Sequence, residues 1–399
     1  MWRRQEAAAA PLVERMRDTL AYRGPDDAGL WCEGPVGFGF RRLSIVDLSP
    51  LGHQPMESAD GRFVICFNGE VYNFGELREE LEALGHRFKG HSDTEVMLAA
   101  IGTWGVSQAV RRFVGMFAFA LWDRKERALH LVRDRIGIKP LYVARTQGGD
   151  FLFGSELKAL AVHPDFSRRI NLDAAAEFLR YGYVPAPLSI YRDAAKLEPG
   201  HILTLSSPGG DWAAATPYWS LEQVARRGVD EPFAGDAQEA TAVLEGLLRD
   251  AVRLRMIADV PLGAFLSGGV DSSLVVALMQ AQSSQPVQTF TIGFNEARFD
   301  ESTFARSIAH HLGTDHTELV VSPTDTLAVV PRLPEMFDEP CADSTQIPTY
   351  LVSQLARTES VNPEALKYLN RLSDHLFVLG RQVNNRGALD VLWRPGANR

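Results

Sequence analysis

The heptapeptide Ser267-Gly268-Gly269-Val270-Asp271-Ser272-Ser273 constrains this chain more than any other segment. It follows the apolar stretch Val260–Leu266, which reads as a strand, and opens Ser273–Gln280, which reads as a helix. Two glycines let the backbone approach a ligand closely, and the amides of a first helical turn point at it. With the helix dipole they form an anion site suited to phosphate. No lysine follows the glycines, so this is not a Walker A loop, whose lysine reaches the β- and γ-phosphates. Asp271 beside a phosphate implies a magnesium partner, because two bare anions repel.

The surrounding chain shows two textures. From about 29 to 156, short strands with turn punctuation dominate. Arg62–Phe67 reads as a strand running into an Asn68-Gly69-Glu70 turn. Phe117–Asp123 with Ala128–Arg133, and Leu141–Ala144 with Phe151–Phe153, read as hairpins. A helix is predicted over Glu76–Gly85, with Leu77, Leu81 and Leu84 on one face and Asn73 as its N-cap. Strands with segregated helices predict an α+β layered domain over 1–205. Ser206–Gly210 opens a linker over 206–238. Beyond it a helix (Ala242–Met256), the 260–266 strand, a strand (Val287–Phe294), a helix (Ser302–Leu312) and a strand (Thr317–Val321) alternate, which predicts a parallel α/β sheet over 239–358.

The chain has 399 residues, enough for two or three domains at about 150 residues each. Its 50 acidic against 41 basic residues give a charge of −9, which argues against nucleic acid as the main partner. The longest apolar run, Phe113–Trp122, is about half a bilayer span, and the first residues lack a signal-peptide core. Three cysteines (Cys32, Cys66, Cys341) give neither a disulfide framework nor metal-ligand spacing. A cytoplasmic protein with no membrane partner is expected.

The heptapeptide resembles the pyrophosphate loop of the N-type ATP pyrophosphatases, and residues from about Arg15 to Arg357 resemble the glutamine-dependent asparagine synthetases. Four upstream segments carry the class II glutaminase part of that resemblance: Arg23–Asp26, Arg42–Asp47, Asn68–Asn73 and Ser92–Glu95. It implies a layered sandwich of the N-terminal-nucleophile type, then a truncated α/β ATP pyrophosphatase domain, with ATP, Mg²⁺, glutamine and aspartate as ligands and a homodimer as the assembly. By resemblance, Arg42 takes the glutamine α-carboxylate as a fork, and Leu43, Ser44, Ile45 and Val46 line the pocket. Glu70 and Asp93 pair with its α-ammonium, while the Asn68 amide and the Gly69 N–H form an oxyanion hole. In the second half, Leu266 and Ile292 contact adenosine. Ser267, Gly268, Gly269, Asp271 and Ser272 hold pyrophosphate, with Asp271 as the magnesium carboxylate.

Two departures are expected to matter. The family's nucleophile is an N-terminal cysteine whose own amine is the base. This sequence opens Met1-Trp2-Arg3-Arg4, so the glutaminase half is expected to lack its nucleophile and the first strand of its sandwich. The family's second loop, SGDGGDE, is also absent. In its place, 359–399 forms an amphipathic pattern with Leu366, Leu369, Leu372, Leu376 and Leu379, an ordinary packing helix by pattern alone. Its wording resembles the last helix of the PduO-type ATP:cob(I)alamin adenosyltransferases, in which the asparagine matching Asn370 contacts ATP. The sequence thus reads as an asparagine synthetase by family, with two alternatives: a non-catalytic nucleotide-binding fragment of a chimeric gene, or an adenosyltransferase remnant.

Overall fold

The computed structural model describes residues 1–4, 6–295 and 300–358. It divides into two units, Met1–Gln223 with Arg332–Asp343, and Val224–Pro331 with the residues from Ser344. Along the first unit run α1 (Ala10–Asp18), β1 (Asp27–Glu33), β2 (Val36–Arg42), β3 (Met56–Glu57), β4 (Phe63–Val71), α2 (Phe74–Ala83), α3 (Asp93–Trp104) and α4 (Val106–Arg112). Then come β5 (Gly115–Asp123), β6 (Ala128–Arg133), β7 (Tyr142–Arg145), β8 (Phe151–Gly154), α5 (Leu157–Leu160), α6 (Leu172–Tyr181), β9 (Ala194–Lys196), β10 (His201–Leu205) and β11 (Thr216–Pro217).

The apolar run at 113–122 becomes the central strand β5. Phe117, Phe119 and Leu121 face one side, Ala118, Ala120 and Trp122 the other, and all six are buried. A strand buried on both faces needs a layer on each. One layer is helical: Leu77 and Leu81 of α2 and Val96, Met97 and Ile101 of α3 pack on the odd-numbered face. The other is a second sheet, whose Val36, Phe38, Val143 and Phe151 meet the even-numbered face. Leu12, Val13 and Met16 of α1 and Leu157 and Leu160 of α5 cover that sheet's far side. The result is helices, six-stranded sheet (β11-β10-β6-β5-β4-β3), second sheet, helices: the expected α+β layered sandwich.

The second sheet consists of two pieces, β1-β2 and β8-β7-β9. Trp2 joins them, bridging to Val36 and to Phe151 and exchanging backbone hydrogen bonds of 2.8 and 2.9 Å with Phe151. Its ring meets Trp122 edge-on at 5.2 Å. Gly37 N also donates to Met1 O and Arg3 N to Pro35 O, both at 2.9 Å, so the expected gap at the first strand is spanned by residues 1–3.

Three local expectations are corrected. Asn68-Gly69-Glu70 is not a turn: β4 continues through it, with Asn68 opposite Ala118 and Gly69 opposite Phe117. Long-range pairing overrides the turn preference of Asn-Gly. The predicted 76–85 helix starts earlier and ends at Ala83, leaving Leu84 exposed. Asn73 precedes that helix without capping it. Its amide instead donates to Arg112 O (3.0 Å) and accepts from Val114 N (2.9 Å).

The second part contains α7 (Leu221–Asp230), α8 (Ala237–Arg255), β12 (Gly263–Phe265), α9 (Val270–Gln280), β13 (Gln288–Phe294), α10 (Ser302–Leu312), β14 (Asp315–Val321) and α11 (Pro323–Val329). A short α12 (Leu333–Met336) lies in the segment belonging to the first unit, and α13 (Gln346–Thr358) follows. The strands form the parallel sheet β12-β13-β14. Helices α8, α9 and α10 bury Val252, Val276, Met279 and Ala305 on one face, and Val352 and Ala356 of α13 pack on Phe290 on the other. The expected 260–266 strand is shorter than predicted, although Leu266 N still donates to Phe290 O at 2.9 Å. Among the described residues no helix is long and apolar enough to cross a membrane.

Candidate functional site

Strand β4 positions the first candidate site. Alternate residues of an antiparallel strand turn their N–H and C=O groups to opposite sides. Phe117, opposite Gly69, exchanges its backbone bonds with Asp134 on its other side (Asp134 N to Phe117 O, 2.7 Å; Phe117 N to Asp134 Oδ2, 3.1 Å). The odd-numbered amides of β4 thus point away from β5. At Phe67 that amide donates to the buried side chain of Gln54 (2.7 Å), and at Val71 to Asp93 Oδ2 (2.9 Å). The Gly69 N–H lies between them on the same open side. A Cβ at Gly69 would stand 2.1 Å from Met116 O, so only glycine fits.

Helix α3 delivers Asp93. Ser92 caps the helix by accepting from Glu95 N at 3.3 Å, which places Asp93 in the first turn. Thr94 Oγ1 links Asp93 Oδ1 (3.4 Å) to Gln54 Nε2 (3.3 Å). Burial pushes the Asp93 carboxyl up to about 6, against the hydrogen bonds from Val71 and Thr94. Asn68 is half-buried, faces the second sheet with its side chain, and donates from Nδ2 to Ser155 Oγ at 3.4 Å. Glu70 sits two positions on, on the same face of β4.

The loop after β2 completes the surroundings. Arg42 is buried, and its Nη atoms donate to the carbonyl oxygens of Val46, Asp47 and Ser49. It braces the loop bearing the half-buried Leu43, Ser44, Ile45 and Val46, with its fork partly engaged. Ser44 N donates to Asp26 Oδ2 at 2.7 Å, joining the Arg23–Asp26 segment to this loop. Asp47 accepts from Ser49 N (3.1 Å) and from His91 N (3.0 Å), tying the loop to the base of α3. Burial works to raise the Asp47 carboxyl, but the hydrogen bonds from the Ser49 hydroxyl, His91 N and Ser49 N outweigh it and hold it below the ordinary carboxylate range.

The three cysteines stand differently. Cys66 shares the Asn68 face of β4, two positions away. Burial pushes its thiol up to about 12, and Sγ lies 3.6 Å from Gly39 O. Cys32 and Cys341 are exposed. Asp47 and Thr94 lie in segments singled out in sequence without a role of their own, and Gln54 and Ser155 lie outside them. No local signal marks Gln54 or Ser155, whose partners lie 13 and 87 residues away.

The second candidate site forms where β12 runs into α9. Leu266 is buried, while Ser267, Gly269 and Asp271 are exposed and Ser272 is buried. The Ser272 hydroxyl is the hub: it accepts from Ser267 N (3.1 Å) and contacts Ser267 Oγ (2.8 Å). Ser267 Oγ accepts from Gly269 N at 3.2 Å. No side chain caps the start of α9, so its first-turn amides stay available. Gly268 packs so near α10 that a Cβ would meet that of Phe304 at 2.9 Å. A mostly apolar cleft of about 450 Å³ between α9 and α10 is lined by Val270, Leu274, Ala277, Ile308 and Leu312, with Gly268, Gly269, Ser273 and His311. Ile292 lies half-buried on β13, opposite Leu319. Asn370 falls outside the described residues.

Both units match known protein families. Residues 2–219 match the glutamine amidotransferase domain family, 243–362 the asparagine synthase family and 350–383 the cobalamin adenosyltransferase family. Asparagine synthetase (glutamine-hydrolyzing) 1 of Bacillus subtilis is 36% identical over 354 residues, covering 88% of this chain and 54% of that protein. Putative asparagine synthetase (glutamine-hydrolyzing) 2 of Methanocaldococcus jannaschii is 33% identical over 366 residues, covering 86% and 68%. Among solved structures, the glutamine phosphoribosylpyrophosphate amidotransferase of B. subtilis complexed with ADP and GMP aligns with a TM-score of 0.41 at 16% identity, covering 79% of this chain and 64% of that one. The chain spans about half the length, 54% and 55%, of two curated relatives from B. subtilis that it matches.

Proposed function

The chain belongs to the glutamine-hydrolysing asparagine synthetase family, and from that premise we propose that its first unit binds glutamine and its second activates a carboxylate with ATP. In the first unit, ionised Asp93 and Glu70 face the α-ammonium, and the Arg42 donors left over from the loop take the α-carboxylate. Asn68 Nδ2 and the Gly69 N–H are the donors that face the side-chain carbonyl oxygen of glutamine. In the second, the α9 amides and the hydroxyls of Ser267 and Ser272 receive the departing pyrophosphate. Gly268 and Gly269 let it approach, and Leu266 and Ile292 flank the adenosine.

Among the described residues no group of three or more His, Cys, Asp or Glu is arranged to hold a metal. Magnesium keeps water and phosphate oxygens and needs only one or two carboxylates, which fits Asp271 as the single protein ligand. When bound, it neutralises charge on the phosphates. An aspartate side chain then attacks the α-phosphorus, pyrophosphate leaves, and ammonia displaces AMP to give asparagine.

The row of β4 amides carries this reading: two are claimed by Gln54 and Asp93, and the one between them belongs to Gly69. None of the three cysteines is placed as a nucleophile, so ammonium is the nitrogen source that isolates the second unit. Aspartate-dependent release of pyrophosphate from ATP is expected with ammonium. ATP binding without release under either nitrogen source overturns the synthetase reading in favour of a nucleotide-binding fragment. Adenosyl transfer to reduced cobalamin would replace both.

A further inference from the structure

Arg332–Asp343 belongs to the first unit although the chain on either side of it belongs to the second. Two lysines grip it. Lys158, in α5, donates from Nζ to Glu335 O at 2.9 Å, lies 3.5 Å from Asp338 Oδ1, and donates from its backbone N to Asp338 Oδ2 at 3.3 Å. Lys196 Nζ lies 2.5 Å from Glu339 Oε2, and Glu339 also accepts from Tyr142 OH (3.2 Å) and Ile190 N (2.8 Å). Both carboxylates are about nine-tenths buried, so the segment is seated rather than draped.

The grip continues inward. Lys158 Nζ also reaches Glu156 Oε2 at 3.0 Å. Glu156 is buried and held from the other side by Arg23 Nη1 (2.6 Å) and the Tyr22 hydroxyl. One residue earlier stands Ser155, whose Oγ accepts from Asn68 Nδ2. A carboxamide carries two N–H donors on one end and an acceptor on the other. Fixing one N–H on Ser155 leaves the second free to donate elsewhere. A flipped amide would present its oxygen instead.

We propose that Arg332–Asp343 is a strap that orients the Asn68 amide: Asp338 holds Lys158, Lys158 holds Glu156, and the turn so fixed presents Ser155 Oγ to one N–H of Asn68. Asp338, Lys158 and Ser155 are positioning residues. Their purpose rests on the glutamine reading given above. The chemistry is that of any preorganised oxyanion donor, which must be aimed before charge develops.

The test follows the Asn68 side-chain N–H pair in the full chain by nuclear magnetic resonance, assigned by its loss in Asn68→Asp, together with L-glutamine binding by calorimetry. Asp338→Asn, Lys158→Met and Ser155→Ala are expected to shift the Asn68 pair and to weaken glutamine by about threefold to tenfold, the worth of one hydrogen bond. Ser155→Thr, which keeps the hydroxyl, restores both readouts. Arg169→Ala, at an exposed pair with Asp193, leaves both unchanged. An Asn68 pair that does not respond to Asp338→Asn, or a Ser155→Thr protein that behaves like Ser155→Ala, overturns the proposal. A wild-type chain that binds no glutamine refutes the glutamine reading, while the response of the Asn68 pair without glutamine still decides the strap.

Discussion

The two candidate sites satisfy their backbone amides in opposite ways. In the first unit, amides at an open strand side are claimed by side chains from afar: Gln54 reaches 13 residues to Phe67, and Asp93 reaches 22 to Val71. In the second, serine hydroxyls two and five residues away serve Gly269 and Ser267. The first arrangement exists only once a sandwich has assembled. The second is built by one strand-to-helix turn. The first unit is correspondingly layered on both sides of its main sheet, whereas the second leaves Val270, Leu274 and Phe304 exposed around its loop.

That contrast can be pressed hardest at Asp134. Its carboxylate accepts from the amides of Phe117 (3.1 Å), Ile136 (3.2 Å), Ile138 (2.9 Å) and Lys139 (2.9 Å) beside the central strand. Asp134→Ala leaves buried donors without partners and is expected to cost about 3 kcal/mol or more. Six of the seven tryptophans lie in the first unit, so a fall in the denaturant midpoint followed by their fluorescence checks it. An unchanged midpoint would mean that the first unit does not depend on long-range acceptors.

A smaller effect concerns Asp93. Its folded value of about 6 lies above the ordinary 3.8, so the folded chain binds a proton that the unfolded chain releases between those values. This carboxyl therefore favours folding most at low pH and does so progressively less as pH rises through that window. Glutamine recognition runs the other way, because an ammonium needs the ionised form. Glutamine affinity is expected to be level above pH 7 and to fall about tenfold per unit below 6. Asp93→Asn should bind weakly without that slope, as calorimetry across pH would establish.

The smallest effect belongs to the second unit. Leu244 and Leu247 of α8 are 55% and 65% exposed. Leu247→Gln is expected to change stability by no more than about 0.5 kcal/mol while reducing self-association in light scattering. A large loss of stability would show that this face is packed in solution.

How much was legible follows from the same contrast. The Ser267–Ser273 loop, the strand Val287–Phe294 and the helix Ser302–Leu312 are local patterns, and they fold almost where periodicity puts them. Asn68–Glu70 reads locally as a turn, and only its pairing with Met116–Ala118, nearly fifty residues on, makes it strand. That Arg42 also braces its own loop, through the carbonyls of Val46, Asp47 and Ser49, is not visible in sequence. Gln54 and Ser155 carry no pattern at all. Their meaning arises only from the layer that faces them.

One consequence of the segment at Arg332–Asp343 concerns severance. The polypeptide passes between the units three times, after Gln223, after Pro331 and after Asp343. A protease that nicks the stretch between Gln223 and Asp236 therefore leaves both pieces noncovalently tethered through Asp338 and Glu339. A recombinant piece ending at Gln223 would instead bare Lys158, Tyr142 and Lys196, the surface on which its missing clasp closes.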